Sequence, residues 1–317
     1  MPKKNARFLG KPFITIDGLT PSDIQTIFNR ADQINKMPFA KTSAILKGKL
    51  VTLLFYEPSS RTFSSFSAAV KKLGGMTIEY QNPMQTSSSV KGETLEDTMK
   101  VFEHYSDAIV MRHFEQGTLR RAQDAVSIPV LNAGDGIGEH PTQAMLDAYT
   151  IVRHTKKLSG VTGLMAGDLL NGRTIHSLLK LLALYKNNTI YLLSPNKLKL
   201  QPDLKEQLIK KGLRLIEISH QKDIPITCDF WYWTRVQKER FADKKTYESL
   251  KHKFVITPDL LKEKGNKKMI IMHPLPRVGD IDIRIDTDSR AVYLGQQVEN
   301  GLIIRMALLS LILGGRI

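Results

Sequence analysis

The stretch Leu50-Val51-Thr52-Leu53-Leu54-Phe55-Tyr56-Glu57-Pro58-Ser59-Ser60-Arg61-Thr62-Phe63 decides the fold. A β-prone apolar run ends at Phe55, Pro58 breaks the chain, and hydroxyl residues open a segment with Phe63, Phe66 and Val70 at helical spacing. Strand, loop and helix in that order form the repeating unit of a parallel α/β sheet. Outward from it the alternation continues. Strands are predicted over Met76–Tyr80, Ala108–Met111 and Val130–Ala133, with helices over Phe63–Lys72, Leu95–Tyr105 and Gly117–Ala125 between them. Five more follow at Thr162–Ala166, Thr189–Leu193, Arg214–Ile218, Phe230–Trp233 and Met269–Met272, with helices over Thr174–Tyr185, Asp203–Lys211 and Tyr247–Lys253.

A chain of 317 residues exceeds one ordinary core of roughly 100–200 residues, so two domains are expected. The helical stretch His140–His154 falls between the two sets of strands, and Val298–Leu313 reads as a closing helix. The expected organisation is α/β, with two similar-sized domains, each a parallel sheet flanked by helices, and an active site in the cleft between them. The boundaries are 1–145, 146–297, and a C-terminal helix 298–317 that packs back on the first domain.

Composition narrows the classes. Hydrophobic residues make up 42% and charged residues 24%, the balance of a globular protein. No apolar run approaches the roughly 20 residues that span a bilayer, so no membrane association is expected. The single cysteine, Cys228, sits in an apolar stretch and is read as inert packing. None of the eight histidines has ligand spacing, so neither metal nor other cofactor is expected. The formal charge of +15 is spread over scattered lysine pairs with no long basic block. It fits an enzyme with anionic substrates, and nucleic-acid binding is not expected. A basic start without an apolar segment behind it points to the cytoplasm.

Five segments carry polar side chains just after predicted strands, where sheets of this kind place their ligands. Ser59, Ser60, Arg61 and Thr62 open a helix, whose free N–H groups attract anions. A plain N-cap with Arg61 on the solvent side fits as well. In Gly136-Ile137-Gly138-Glu139-His140-Pro141-Thr142-Gln143 a glycine turn leads into a helix start, where a neutral His140 and Gln143 suit a carbonyl oxygen. Helix capping by His140 and Thr142 is the alternative. Asp168 to Thr174, Thr234 to Arg240 and His273 to Arg277 follow three further strands, and each of their arginines also suits a surface ion pair.

Taken together and in this order, these segments resemble aspartate carbamoyltransferase catalytic chains over nearly the whole length. The first two also occur in ornithine carbamoyltransferases. The Thr234-Arg235-Val236-Gln237-Lys238-Glu239-Arg240 stretch, and Leu275 where the ornithine enzymes carry a cysteine, favour aspartate. The resemblance implies that Ser59, Ser60, Arg61 and Thr62 bind the phosphate of carbamoyl phosphate, with Arg112 reaching phosphate and carbonyl. It gives His140 and Gln143 to the carbamoyl group and Arg173, Arg235 and Gln237 to the aspartate carboxylates, with the Pro274 and Leu275 carbonyls on the transferable amine. Ser87 and Lys91 match a loop that enters the neighbouring subunit's site, which implies a homotrimer with shared sites and leaves room for regulatory chains or pathway enzymes as partners. Transfer to ornithine or another amine, and a catalytically silent copy serving as a binding subunit, are the alternatives. Against many relatives, Ser60, Phe63, Ser67 and Val90 are departures; Ser67 replaces an acidic residue.

Overall fold

The structure, a computed structural model, describes residues 7–83, 92–237, 245, 247–248 and 254–315. The chain divides into two compact units, Met1–Met145 with Asn300–Ile317, and Leu146–Glu299.

In the first unit β1 (Leu50–Phe55), β2 (Met76–Gln81), β3 (Ala108–His113) and β4 (Val130–Asp135) form one parallel sheet in the order β2-β1-β3-β4. β1 and β3 are interior strands and read as nearly unbroken apolar runs, whereas edge strand β2 is largely exposed. Helices Ser60–Lys72, Leu95–Glu103 and Thr118–Asp124 connect them. The first starts at Ser60, ahead of the predicted Phe63, because a helix's opening turn holds the polar residues that periodicity does not count. Phe55 and Phe66 are fully buried, each contributing about 2–3 kcal/mol of hydrophobic stabilisation.

A helix at Pro21–Lys36 was not predicted, although its start is written in Thr20-Pro21-Ser22-Asp23. Thr20 Oγ1 accepts the Asp23 amide at 3.3 Å while the Asp23 carboxylate accepts the Thr20 amide at 2.7 Å, a reciprocal capping box. The closing helix, Gln296–Ile312, begins two residues before the predicted start and passes into the first unit at Asn300. There the Gly10 amide bonds the Ile312 carbonyl at 2.8 Å, and Arg305 lies 5.2 Å over the Phe66 ring.

In the second unit β5 (Thr162–Ala166), β6 (Thr189–Leu193), β7 (Arg214–Ile218), β8 (Phe230–Trp233) and β9 (Ile270–Met272) form a parallel sheet in the order β7-β6-β5-β8-β9. Trp231 and Trp233 on β8 are fully buried in a core with Leu164, Ile256, Ile271 and Tyr293. Cys228 belongs to the same core, and burial pushes its thiol up to about 12. Helices Arg173–Leu182 and Pro202–Lys210 follow β5 and β6, and Pro258–Lys264, not predicted, precedes β9. Of the helix predicted over Tyr247–Lys253, only Tyr247 and Glu248 are described, both helical. Among the described residues no helix is long and apolar enough to cross a membrane.

Each sheet reverses its direction of growth once. The first does so between β1 and β3, the second between β5 and β8. Beyond the carboxyl ends of such strand pairs, the loops diverge and leave a crevice for ligand. At the second reversal Gly167 has φ +111°, and a Cβ there would lie 2.0 Å from the Thr234 carbonyl oxygen. Gly167→Ala is therefore expected to cost roughly 2–4 kcal/mol in a urea unfolding series. An unchanged midpoint would contradict this close approach.

Candidate active site

One cluster of the polar loops lies at the β1–β3 reversal. Phe55 and Arg112 are register partners, and the Tyr56 amide extends the ladder to the Arg112 carbonyl at 2.8 Å. Ser59 takes the N-cap position of the Ser60–Lys72 helix, as the plain-cap reading has it, but its side chain makes no capping bond. Thr62 is buried in the first turn, and Ser60 and Arg61 are exposed. The helix's opening amides and three hydroxyls thus gather at one strand end. Arg112 is mostly buried, with a side chain 12% exposed; it pairs with Glu57 at 3.0 Å and donates to the Ala133 carbonyl at 3.3 Å. Glu57 was not singled out in the sequence, although it sits two residues beyond β1.

β4 lies beside β3 and ends in the glycine turn. Gly136 has φ +52°, and a Cβ there would meet the Gln116 amide nitrogen at 2.6 Å. The Glu139 carboxylate accepts from Thr15 Oγ1 at 2.7 Å and from the Ile16 amide at 2.9 Å, which pins the turn to the N-terminal segment. His140 and Gln143 are both buried at the start of the Pro141–Thr155 helix. The His140 carbonyl caps that helix by accepting the Gln143 and Ala144 amides. Thr142 Oγ1 lies 3.5 Å from His140 Nδ1.

At the β5–β8 reversal the buried Asp168 holds a cluster of the second unit together. Its carboxylate accepts the Asn171 amide at 3.0 Å and the Asn171 side chain at 3.1 and 3.2 Å. Burial raises its pKa; the Asn171 and Gln237 amides pull the other way. Thr234 Oγ1 accepts the Asp168 amide and donates to the Ala166 carbonyl, both at 3.2 Å. Gln237 Nε2 reaches the Asn171 carbonyl at 3.0 Å, joining the loops that carry Arg173 and Arg235. Those two arginines are half-buried, Arg173 in the first turn of its helix and Arg235 two residues past β8.

The Pro274–Leu275 loop follows β9, the strand beside β8. Its Arg277 is no free anion ligand: it grips Asp286 through two hydrogen bonds and lies 5.6 Å over the Tyr293 ring. The surface-pair reading thus holds for this arginine. Ser87 and Lys91 lie outside the described residues.

Residues 11–153 match the model of the aspartate/ornithine carbamoyltransferase carbamoyl-P binding domain, and residues 159–312 match that of the Asp/Orn binding domain. The chain belongs to the aspartate/ornithine carbamoyltransferase family. It is 48% identical to the chloroplastic aspartate carbamoyltransferase of Arabidopsis thaliana, over 92% of this chain and 75% of that protein. It is 43% identical to the aspartate carbamoyltransferase catalytic subunit of Methanocella arvoryzae, over 97% and 98% of the two chains. The aspartate transcarbamoylase of Trypanosoma cruzi, solved with carbamoyl phosphate and aspartate, superposes with a TM-score of 0.90 at 37% identity, covering 97% of this chain and 98% of that one.

Of the departures from the family pattern, Val90 lies outside the described residues, and Phe63 and Ser67 have local partners. Phe63 packs edge-on against Phe55, ring centroids 5.2 Å apart. Ser67 joins an ion pair: its hydroxyl donates to Glu79 at 2.7 Å, and Lys71 Nζ reaches the same oxygen at 2.8 Å. Burial raises the Glu79 pKa, but the bonds from Lys71, Ser67 and Thr77 outweigh it and hold the carboxyl low.

Hydrogen bonds from Arg277, opposed by burial and helped by Tyr293, hold Asp286 below the usual carboxylate range. A depressed carboxylate contributes stability above its unfolded pKa and loses it as pH falls through the folded one. Asp286→Asn should cost about 1–3 kcal/mol at neutral pH. The gap from wild type in urea melts should narrow as pH falls through the depressed pKa; a gap independent of pH would contradict the assignment.

Proposed function

We propose that this chain catalyses transfer of the carbamoyl group of carbamoyl phosphate to the amine of L-aspartate, giving N-carbamoyl-L-aspartate and phosphate. The observation that carries the reading is the coincidence of the polar loops with the two sheet reversals, in a chain 37% identical over 97% of its length to an enzyme solved with both substrates. In this reading Ser59, Ser60, Arg61 and Thr62 take the phosphate at the helix start, where free amides and a guanidinium fork suit a tetrahedral anion. Gln143 holds the carbamoyl nitrogen. Arg173, Arg235 and Gln237 take the two carboxylates of aspartate, and the Pro274 and Leu275 carbonyls accept from the amine.

The deprotonated amine attacks the carbonyl carbon, and negative charge moves to the carbonyl oxygen. Thr62, Arg112 and His140 stabilise that oxygen as donors fixed before the reaction begins. Collapse of the intermediate breaks the carbon–oxygen bond to phosphate. The leaving phosphate takes the proton from the amine, so no protein nucleophile is needed. Arg61, with Lys91, stabilises the departing charge, and holding both substrates supplies proximity. The proposal extends to a cytoplasmic homotrimer in which Ser87 and Lys91 serve the neighbouring subunit's site. Its support is the match of the Thr86–Glu93 stretch to such a loop and a single buried cysteine that calls for no oxidising compartment.

Product formation with L-aspartate and L-ornithine in parallel, each with carbamoyl phosphate, tests the substrate. Product from aspartate alone is expected, and product from ornithine alone would overturn the assignment. Arg61→Ala should lower kcat/KM by about 10²–10³-fold with an unchanged far-UV spectrum. Near-normal turnover would remove Arg61 from the mechanism.

A further inference from the structure

Beneath the Pro274–Leu275 loop runs a chain of buried hydrogen bonds that no assigned role uses. It starts at Asp147, fully buried within the Pro141–Thr155 helix. One carboxylate oxygen accepts Tyr232 OH from β8 at 2.9 Å, and the other accepts Gln297 Nε2 at 2.7 Å. Gln297, at the start of the closing helix, accepts the His273 amide through Oε1 at 3.0 Å. Both ends of its amide are fixed by partners: a carboxylate only accepts here and a backbone N–H only donates.

His273 carries the chain onward. Its Nδ1 accepts the Leu275 amide at 2.8 Å, so the ring proton sits on Nε2, which donates to Asp280 at 2.5 Å. The second Asp280 oxygen accepts the Val278 amide at 2.6 Å. Burial raises the Asp280 pKa, but the His273 bond and the Val278 and Asp280 amides outweigh it and hold the carboxyl below its usual range. Leu275 lies between these anchors at φ +57°, a region that costs a non-glycine residue about 1–3 kcal/mol and persists only where its surroundings dictate it.

We propose that Gln297 and Asp147 are positioning residues of the aspartate-binding half, acting through His273 to aim the Pro274 and Leu275 carbonyls at the substrate amine. The inference rests on the reading above, in which those carbonyls receive that amine. Gln297 fixes the backbone of His273 as β9 ends, and the imidazole then fixes Leu275. A carbonyl held this way needs no reorganisation when the amine arrives.

The test reverses the polarity of the central bond in the full-length enzyme. Gln297→Glu sets a carboxylate against Asp147 and breaks the chain by like-charge repulsion. Asp147→Asn combined with Gln297→Glu restores it. The carboxamide introduced at position 147 accepts from Tyr232 and donates to the carboxylate introduced at position 297. That carboxylate in turn accepts the His273 amide, and the buried charge is unchanged. The single variant should lose on the order of 10- to 100-fold in kcat/KM for aspartate. The double variant should recover most of that loss, and the calorimetric Kd for inorganic phosphate should stay the same in all three. If Gln297→Glu is insoluble, Tyr232→Phe probes the same chain and should lose about 2- to 10-fold. Unchanged kcat/KM for aspartate in the soluble single variant, or equal losses in aspartate turnover and phosphate affinity without recovery in the double, would overturn the proposal. A wild-type enzyme that forms no carbamoyl-aspartate would overturn the functional reading and this inference with it.

Discussion

A parallel strand that ends must hand the chain to a helix whose first amides have no partner inside that helix. Everything else in this protein depends on how that constraint is met. Both sheets reverse their growth once, and at each reversal neighbouring loops part and expose those amides at a common edge. An anion there satisfies backbone groups that would otherwise be solvated, so affinity for phosphate or carboxylate arises before any side chain is chosen. In the proposed reading, side chains then add charge and geometry: Arg61, Thr62 and Arg112 at one reversal, Arg173, Arg235 and Gln237 at the other.

Cations gathered around a binding edge repel one another, and each guanidinium has rotamers to lose. The molecule meets both costs with internal acids and amides. Glu57 and the Ala133 carbonyl orient Arg112, so its fork is aimed without recruiting a flexible surface side chain. Asp168 plays the matching part in the second sheet, where it ties down the loop before Arg173 while Gln237 bridges to the same loop. Asp168 is fully buried, so its support depends on the hydrogen bonds its carboxylate accepts from Asn171.

Much of this was legible in the sequence. The nine strands among the described residues all lie within two residues of their predicted ends, because interior parallel strands are short apolar runs bounded by turn residues. The helix at Pro21–Lys36 was missed although Thr20 and Asp23 spell its capping box; no strand is predicted ahead of it, so the alternation gave no prompt. The positions of the polar loops after their strands were readable, but the strand order was not. Which two loops meet at a reversal is a long-range fact, and β1 pairs with β3 across more than fifty residues of chain. The supports were harder still. Glu57, Asp147, Asp280 and Gln297 look like ordinary polar residues until pairing brings their partners to them. Arg277 shows the converse: a cation in the right loop whose carboxylate, Asp286, lies nine residues on.

The proposed reaction makes a new carbon–nitrogen bond between the carbamoyl carbon and the aspartate amine. Isotope-edited NMR of a reaction with ¹³C-carbamoyl phosphate and ¹⁵N-aspartate observes that bond directly. A carbamoyl ¹³C signal split by ¹⁵N is expected, growing in step with inorganic phosphate. Phosphate release with an unsplit ¹³C signal, the mark of simple breakdown of carbamoyl phosphate, would contradict it.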